Sequence, residues 1–289
     1  MKSLKPIYEF LLWDACNNNC KFCFERQNPQ KLTLAEREYS IDKVMQVIDS
    51  DTFVKGSHLL LMGGEIFDTP TVFNKLKSLI DKVIGMMKVG EIDILYLNTN
   101  LIYKKLDILV YLLERLKEHD YFSRFQMTTS YDLEGRFTPK TEQLMLHNLE
   151  YVRNNYPNCN IAVNTILSNT VCNRILSREW DVKAFAEKYR VNLMLIPYIV
   201  LLPSLSASRS KIFKTLKFVD DEIPNYIHNM VLNLDNHQEK RIYRFNPSTK
   251  EYEYSSCANS ECGHSINYKT YSTKGTCFVC DLKNTFEGF

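Results

Sequence analysis

Cys16-Asn17-Asn18-Asn19-Cys20-Lys21-Phe22-Cys23 brings three thiols together near the start of the chain. Thiolates at this spacing are metal ligands in a reducing environment, and disulfide partners in an oxidising one. Four-iron clusters usually take four thiolates, and structural zinc also takes four ligands. A compact group of three therefore points to a metal centre with one position left for something other than protein. The plainer alternative is a set of buried or zinc-binding thiols, because Cys-x2-Cys pairs are common in zinc sites. About forty residues on, the apolar run Leu59-Leu60-Leu61-Met62 ends in Gly63-Gly64-Glu65. An apolar run closed by a glycine pair reads as a buried strand entering a sharp turn, and glycines there let backbone approach a ligand closely.

The Cys-x3-Cys-x2-Cys run, with the aromatic Phe22 before its last cysteine and Gly63-Gly64-Glu65 one strand and one helix later, resembles the radical S-adenosylmethionine (SAM) family. The family pattern often continues with proline, and here Ile66 follows. The resemblance spans roughly residues 7 to 200. It implies a [4Fe-4S] cluster on Cys16, Cys20 and Cys23, whose fourth iron binds the amino and carboxylate groups of SAM. Gly63, Gly64 and Glu65 would hold the methionine end, and Phe22 would lie on the adenine side. Other strand ends carry family-like polar residues. Asn98-Thr99-Asn100 stands where the family often has Thr-Asn-Gly, and Ser130-Tyr131-Asp132 looks like the Ser-x-Asp of its peptide-modifying branch. Asn164 resembles the residue that contacts the SAM ribose, and Ile196 closes a strand where adenine packs. Asn, Asp and Ser in such places also cap helices and close turns, so Thr99, Asn100, Ser130, Asp132 and Asn164 carry both readings.

The implied reaction is reductive cleavage of SAM to a 5′-deoxyadenosyl radical, which takes a hydrogen atom from a substrate. The implied partner is a flavodoxin- or ferredoxin-type electron donor, and the substrate expected first is a peptide or protein side chain. Modification of a nucleotide or nucleic-acid base by the same chemistry is the alternative. A non-catalytic zinc-ribbon binding protein on a dead barrel is the reading from another class.

Four more cysteines, Cys257, Cys262, Cys277 and Cys280, form two knuckles with a hairpin-length spacer. Four thiolates in this pairing suit a closed zinc site or a second [4Fe-4S] cluster. Cys159 and Cys172 are single and read as small buried hydrophobes. The nine cysteines are not spaced as a disulfide framework, which favours a reducing, cytoplasmic setting. With 289 residues, 45% hydrophobic and 24% charged, the chain has the composition of an ordinary globular protein with a sizeable core. A net charge of +2 carries no global footprint for nucleic acid or anionic membrane. No apolar run approaches the roughly 18 residues of a membrane span, and residues 1–6 lead into a strand without a signal-peptide apolar region.

The elements that must position these groups alternate in kind. Strands are expected over Ile7–Trp13, Leu59–Met62, Ile92–Leu97, Phe125–Thr129, Cys159–Ile166 and Asn192–Ile196. Helices are expected over 41–48 with Ser40 as N-cap, 71–88, 104–118, 141–154 and 180–189. Strands alternating with helices build parallel βα units, and the family resemblance makes them an α/β, partial (β/α)6 TIM-like barrel with a small C-terminal four-cysteine metal-binding extension. The expected division is a barrel over 1–200, a helical connection over 201–240 and a metal-binding segment over 241–289. The last opens with a hairpin over 243–254. In barrels of this type the chemistry sits at the C-terminal ends of the strands, where the cysteine loop and Gly63-Gly64-Glu65 both fall.

Overall fold

The structure is a computed structural model that describes residues 6–23, 32–197, 207–222, 240–246 and 251–257. It is an α/β fold. Six strands run parallel in chain order: β1 (Ile7–Leu11), β2 (Ser57–Met62), β3 (Ile92–Asn98), β4 (Phe125–Ser130), β5 (Asn160–Leu167) and β6 (Asn192–Pro197). Helices fill the connections: α1 (Leu34–Ile48), α2 (Phe73–Lys88), α3 (Asp107–Glu118), α4 (Pro139–Asn155), α5 (Asn169–Leu176) and α6 (Val182–Tyr189), with α7 (Arg209–Glu222) after β6. Two further strands, β7 (Lys240–Asn246) and β8 (Glu251–Cys257), join the same sheet on its other side. β7 pairs parallel with β1, and β8 runs antiparallel to β7. The expected hairpin over 243–254 therefore exists, and it is an extension of the sheet that carries the cysteine loop.

Side-chain alternation explains the layers. Ser57, Leu59 and Leu61 of β2 and Phe125, Met127 and Thr129 of β4 are buried, while the residues between them are half-exposed. Period-2 burial places one row under the helices and the other on the opposite face. The helices answer with apolar residues at helical spacing, such as Leu76, Leu79, Ile80, Val83 and Met87 of α2, and these join one core reaching from α1 to α7.

Two helices differ from expectation. α1 begins at Leu34 on a capping box in which Thr33 accepts from the Glu36 N–H and Glu36 accepts from the Thr33 N–H. Ser40 lies inside this helix, buried, with its hydroxyl donating to the Leu12 carbonyl at 2.7 Å. α5 was not expected; Ser168 caps it, and Val171, Cys172 and Ile175 form its buried face. Among the described residues no helix is long and apolar enough to cross a membrane.

Candidate functional site

Because β1 to β6 are parallel, the loops that leave their C-terminal ends share one edge of the sheet. The β1–β2 ladder continues beyond the strands into these loops. The Leu12 N–H donates to the Met62 carbonyl at 2.9 Å, the Gly64 N–H to the Trp13 carbonyl at 2.6 Å and the Glu65 N–H to the Ala15 carbonyl at 3.0 Å. The glycine pair is pressed against the chain that leads into Cys16. A Cβ on Gly63 would lie 2.4 Å from the Trp13 carbonyl oxygen, and one on Gly64 would lie 2.3 Å from that of Ala15. Close approach is what requires glycine at both positions.

Glu65 is buried, and its carboxylate is occupied within the protein. It accepts from the Asn100 N–H at 2.6 Å, the Phe67 N–H at 3.0 Å and the Thr99 hydroxyl at 3.0 Å. Its carbonyl accepts from the Trp13 indole N–H at 3.0 Å. Burial pushes the Glu65 carboxyl up to about 7, against the pull of those hydrogen bonds. The same burial, next to Glu65, raises the Tyr103 phenol, whose oxygen is 3.2 Å from the Thr99 hydroxyl. Glu65 thus fastens the loop after β2 to the loop after β3. Asn100 carries the connection on, with its side-chain amide donating to Cys16 Sγ at 3.5 Å and to Asn17 Oδ1 at 2.8 Å.

These loops line a half-open cavity of about 240 Å³. Cys16, Cys20 and Cys23 line it together with Phe22, Gly63, Gly64, Thr99, Asn100, Ser130 and Asn164. Of the residues expected at a cofactor, Glu65, Asp132 and Ile196 are not on its wall, and Ile166 supplies the apolar contact at the end of β5. Asn164 Oδ1 is buried with no hydrogen-bond partner among the described residues. An orphaned acceptor at a cavity wall is a position where a ligand donor would be satisfied.

Asn98, from the same polar strand end as Thr99 and Asn100, also lines the cavity, and so do Asn18, Thr128 and Arg136, which were not anticipated from sequence. Asn18 donates to Cys16 Sγ from its backbone at 3.4 Å and to Cys20 Sγ from its side chain at 3.3 Å. Arg136 donates to Cys20 Sγ at 3.4 Å, pairs through Nε with Asp132, and lies over the Phe22 ring at 5.2 Å from its centroid. Asp132 is buried, and its second oxygen accepts from the Ile166 N–H at 2.6 Å. Asp132 therefore holds Arg136 and the end of β5, and faces away from the cavity.

Among the described residues no three His, Cys, Asp or Glu side chains converge to hold a single metal ion. The three thiols instead share the wall of one cavity, where each can ligate a different metal atom of a larger group. That donor set, the space beside the glycine pair and the orphaned Asn164 oxygen fit a polynuclear thiolate-ligated cluster with an organic ligand beside it. Cys159 and Cys172 are buried elsewhere, and burial pushes the Cys159 thiol up to about 12, which leaves it inert. The register of β8 sets Cys257 opposite Lys240, which in turn pairs with Ile7. Cys257 thus lies at the end of the sheet opposite the cysteine loop, about 13 Å along the strands, at ~3.3 Å per residue, from the end of β1 that leads into that loop. Cys262, Cys277 and Cys280 lie outside the described residues. Compared with known proteins, the chain matches no family model and no curated sequence.

Proposed function

We propose that this chain is a radical SAM enzyme built on a partial (β/α)6 TIM-like barrel. The observation that carries the reading is the placement of all three cysteines of the loop on one cavity wall, beside a glycine pair too tightly packed for any side chain. Cys16, Cys20 and Cys23 would hold a [4Fe-4S] cluster. The Gly63-Gly64 backbone, Ser130 and Asn164 would hold SAM, and Phe22 and Ile166 would cover its apolar parts. When bound, this pair supplies one-electron reductive cleavage of the SAM sulfonium and hydrogen abstraction from substrate.

The protein's own contribution is placement. Gly63 and Gly64 bring backbone polar groups next to the cysteine loop, and Glu65, Thr99 and Asn100 lock the two neighbouring loops. The apolar Phe22 and Ile166 would shield the reacting end of the cavity from water. A flavodoxin- or ferredoxin-type protein is the proposed electron donor, and a peptide or protein side chain is the proposed substrate class. Cys257, Cys262, Cys277 and Cys280 would form a separate zinc or iron–sulfur site.

The test is formation of 5′-deoxyadenosine from SAM by the full chain, reconstituted anaerobically with iron and sulfide and reduced with dithionite. Wild type should form it and Cys20→Ala should not, with circular dichroism unchanged. Formation at equal rates in both would sink the reading.

A further inference from the structure

We propose that Arg136 raises the reduction potential of the cluster held by Cys16, Cys20 and Cys23, acting as a cationic hydrogen-bond donor to Cys20. The inference rests on the proposed function and deepens it.

Arg136 is fixed from four directions. Asp132 holds its Nε, Nη1 reaches Cys20 Sγ at 3.4 Å, Phe22 lies beneath the guanidinium, and the Arg136 carbonyl accepts from Asn18 Nδ2 at 3.1 Å. The preceding Gly135 has φ +78, a left-handed conformation suited to glycine. Its carbonyl accepts from the Lys21 N–H at 2.8 Å, so the loop after β4 is bonded directly to the cysteine loop. The side chain is only 14% exposed. Screening of its charge by water is therefore weak.

The chemistry follows from charge. A thiolate-ligated cluster gains one negative charge when it takes one electron from a low-potential donor, dithionite in the assay below, and no bond forms or breaks. Hydrogen bonds to the sulfurs and net local charge are the protein's levers on cluster potential. A cation donating to one ligand sulfur stabilises the reduced form more than the oxidised form. Asp132 balances part of that charge, but it sits on the Nε side of the guanidinium while Nη1 faces the sulfur. The positive end of the pair is thus directed at Cys20. Neutral donors from Asn18 and Asn100 supply the same effect in weaker form.

The experiment is a potentiometric titration of the full chain, reconstituted with iron and sulfide and followed by the electron paramagnetic resonance of the reduced cluster. SAM is omitted, so that any contact between Arg136 and the cofactor does not enter. Iron per chain is measured alongside. At the wild-type midpoint, Arg136→Gln should lower the ratio of reduced to oxidised cluster at least tenfold, equivalent to about 59 mV for a one-electron couple. Arg136→Lys, which keeps the charge, should stay within about threefold of wild type, since most of the effect is carried by charge. A purely structural role would lower iron content and leave the potential of the assembled cluster unchanged.

An Arg136→Gln ratio within threefold of wild type overturns the proposal, as does a fall in Arg136→Lys as large as in Arg136→Gln. If Arg136→Gln assembles no cluster, the equally neutral Arg136→Met decides on the same criterion, and failure of both to assemble one assigns Arg136 to cluster assembly and overturns the proposal. Absence of a cluster from wild type would instead overturn the proposed function on which the inference rests.

Discussion

Gly64→Ala is the perturbation whose cost can be worked most directly from the structure. The added Cβ would stand 2.3 Å from the Ala15 carbonyl oxygen, 2.5 Å from that of Asp14 and 2.6 Å from the Ala15 carbonyl carbon. All three are backbone atoms, so no side chain can swing aside. Reaching ordinary contact at 3.4 Å requires the Asp14–Ala15 backbone to retreat by about 1 Å. That movement pulls apart the hydrogen bonds from Gly64 to Trp13 and from Glu65 to Ala15. Overpacking costs about 1–3 kcal/mol, and each lost hydrogen bond about 1 kcal/mol. The sum is about 3–5 kcal/mol, which at ~2–4 °C per kcal/mol lowers Tm by roughly 10 °C. Gly85→Ala is the control, since Gly85 is exposed in α2 and a Cβ there meets nothing within 4 Å. It should gain about 0.5–1 kcal/mol and raise Tm by roughly 1–4 °C. Thermal denaturation of the metal-free protein by circular dichroism measures both. A Gly64→Ala protein melting within 1 °C of wild type, at about the resolution of the method, would refute the packing of the glycine pair against the cysteine loop.

Three further outcomes are expected. The Glu65 carboxyl sits at about 7 in the folded protein against an ordinary 4.5, so its contribution to stability is complete below pH 4.5 and is lost as pH rises through 7. Urea melts should show wild type losing up to about 3 kcal/mol more than Glu65→Gln across that window, at ~1.4 kcal/mol per pH unit; equal slopes for the two proteins would contradict the burial of Glu65. Asn164→Ala should weaken SAM binding about tenfold, a loss of ~1.4 kcal/mol. Its metal-free Tm should equal or exceed wild type, because the change removes an orphaned buried acceptor, and a fall in Tm with unchanged affinity would place Asn164 in the fold alone. Cys257→Ala should leave 5′-deoxyadenosine formation within about threefold of wild type, since its strand position is remote from the cysteine loop. Loss of SAM cleavage in parallel with Cys20→Ala would contradict that separation.

The strands and the two chemical motifs were legible because their signals are local. The spacing of Cys16, Cys20 and Cys23 and the apolar run into Gly63-Gly64 need no knowledge of distant residues. Boundaries suffered where two local signals competed. Ser40 looks like an N-cap, yet the Thr33 and Glu36 capping box starts α1 earlier, and the Ser40 hydroxyl turns inward to the Leu12 carbonyl. The orientation of carboxylates was not legible. Glu65 and Asp132 stand beside the cavity in sequence terms, but burial turns both toward backbone N–H groups and, for Asp132, toward Arg136. Arg136 itself was missed because its contact with Cys20 bridges 116 residues and has no sequence signature. The placement of β7 beside β1 is of the same kind, since a hairpin pattern identifies its own two strands and not the third strand on which they add.

The most direct test of the account is iron and acid-labile sulfide per chain after anaerobic reconstitution, with zinc measured on the same samples. Wild type is compared with a variant in which Cys16, Cys20 and Cys23 are all replaced by serine. The variant should lose about four irons and four sulfides, the content of one cubane cluster, and keep whatever metal the C-terminal cysteines hold. Equal iron in the two proteins, or a wild-type loop that takes up zinc and no iron, would contradict it.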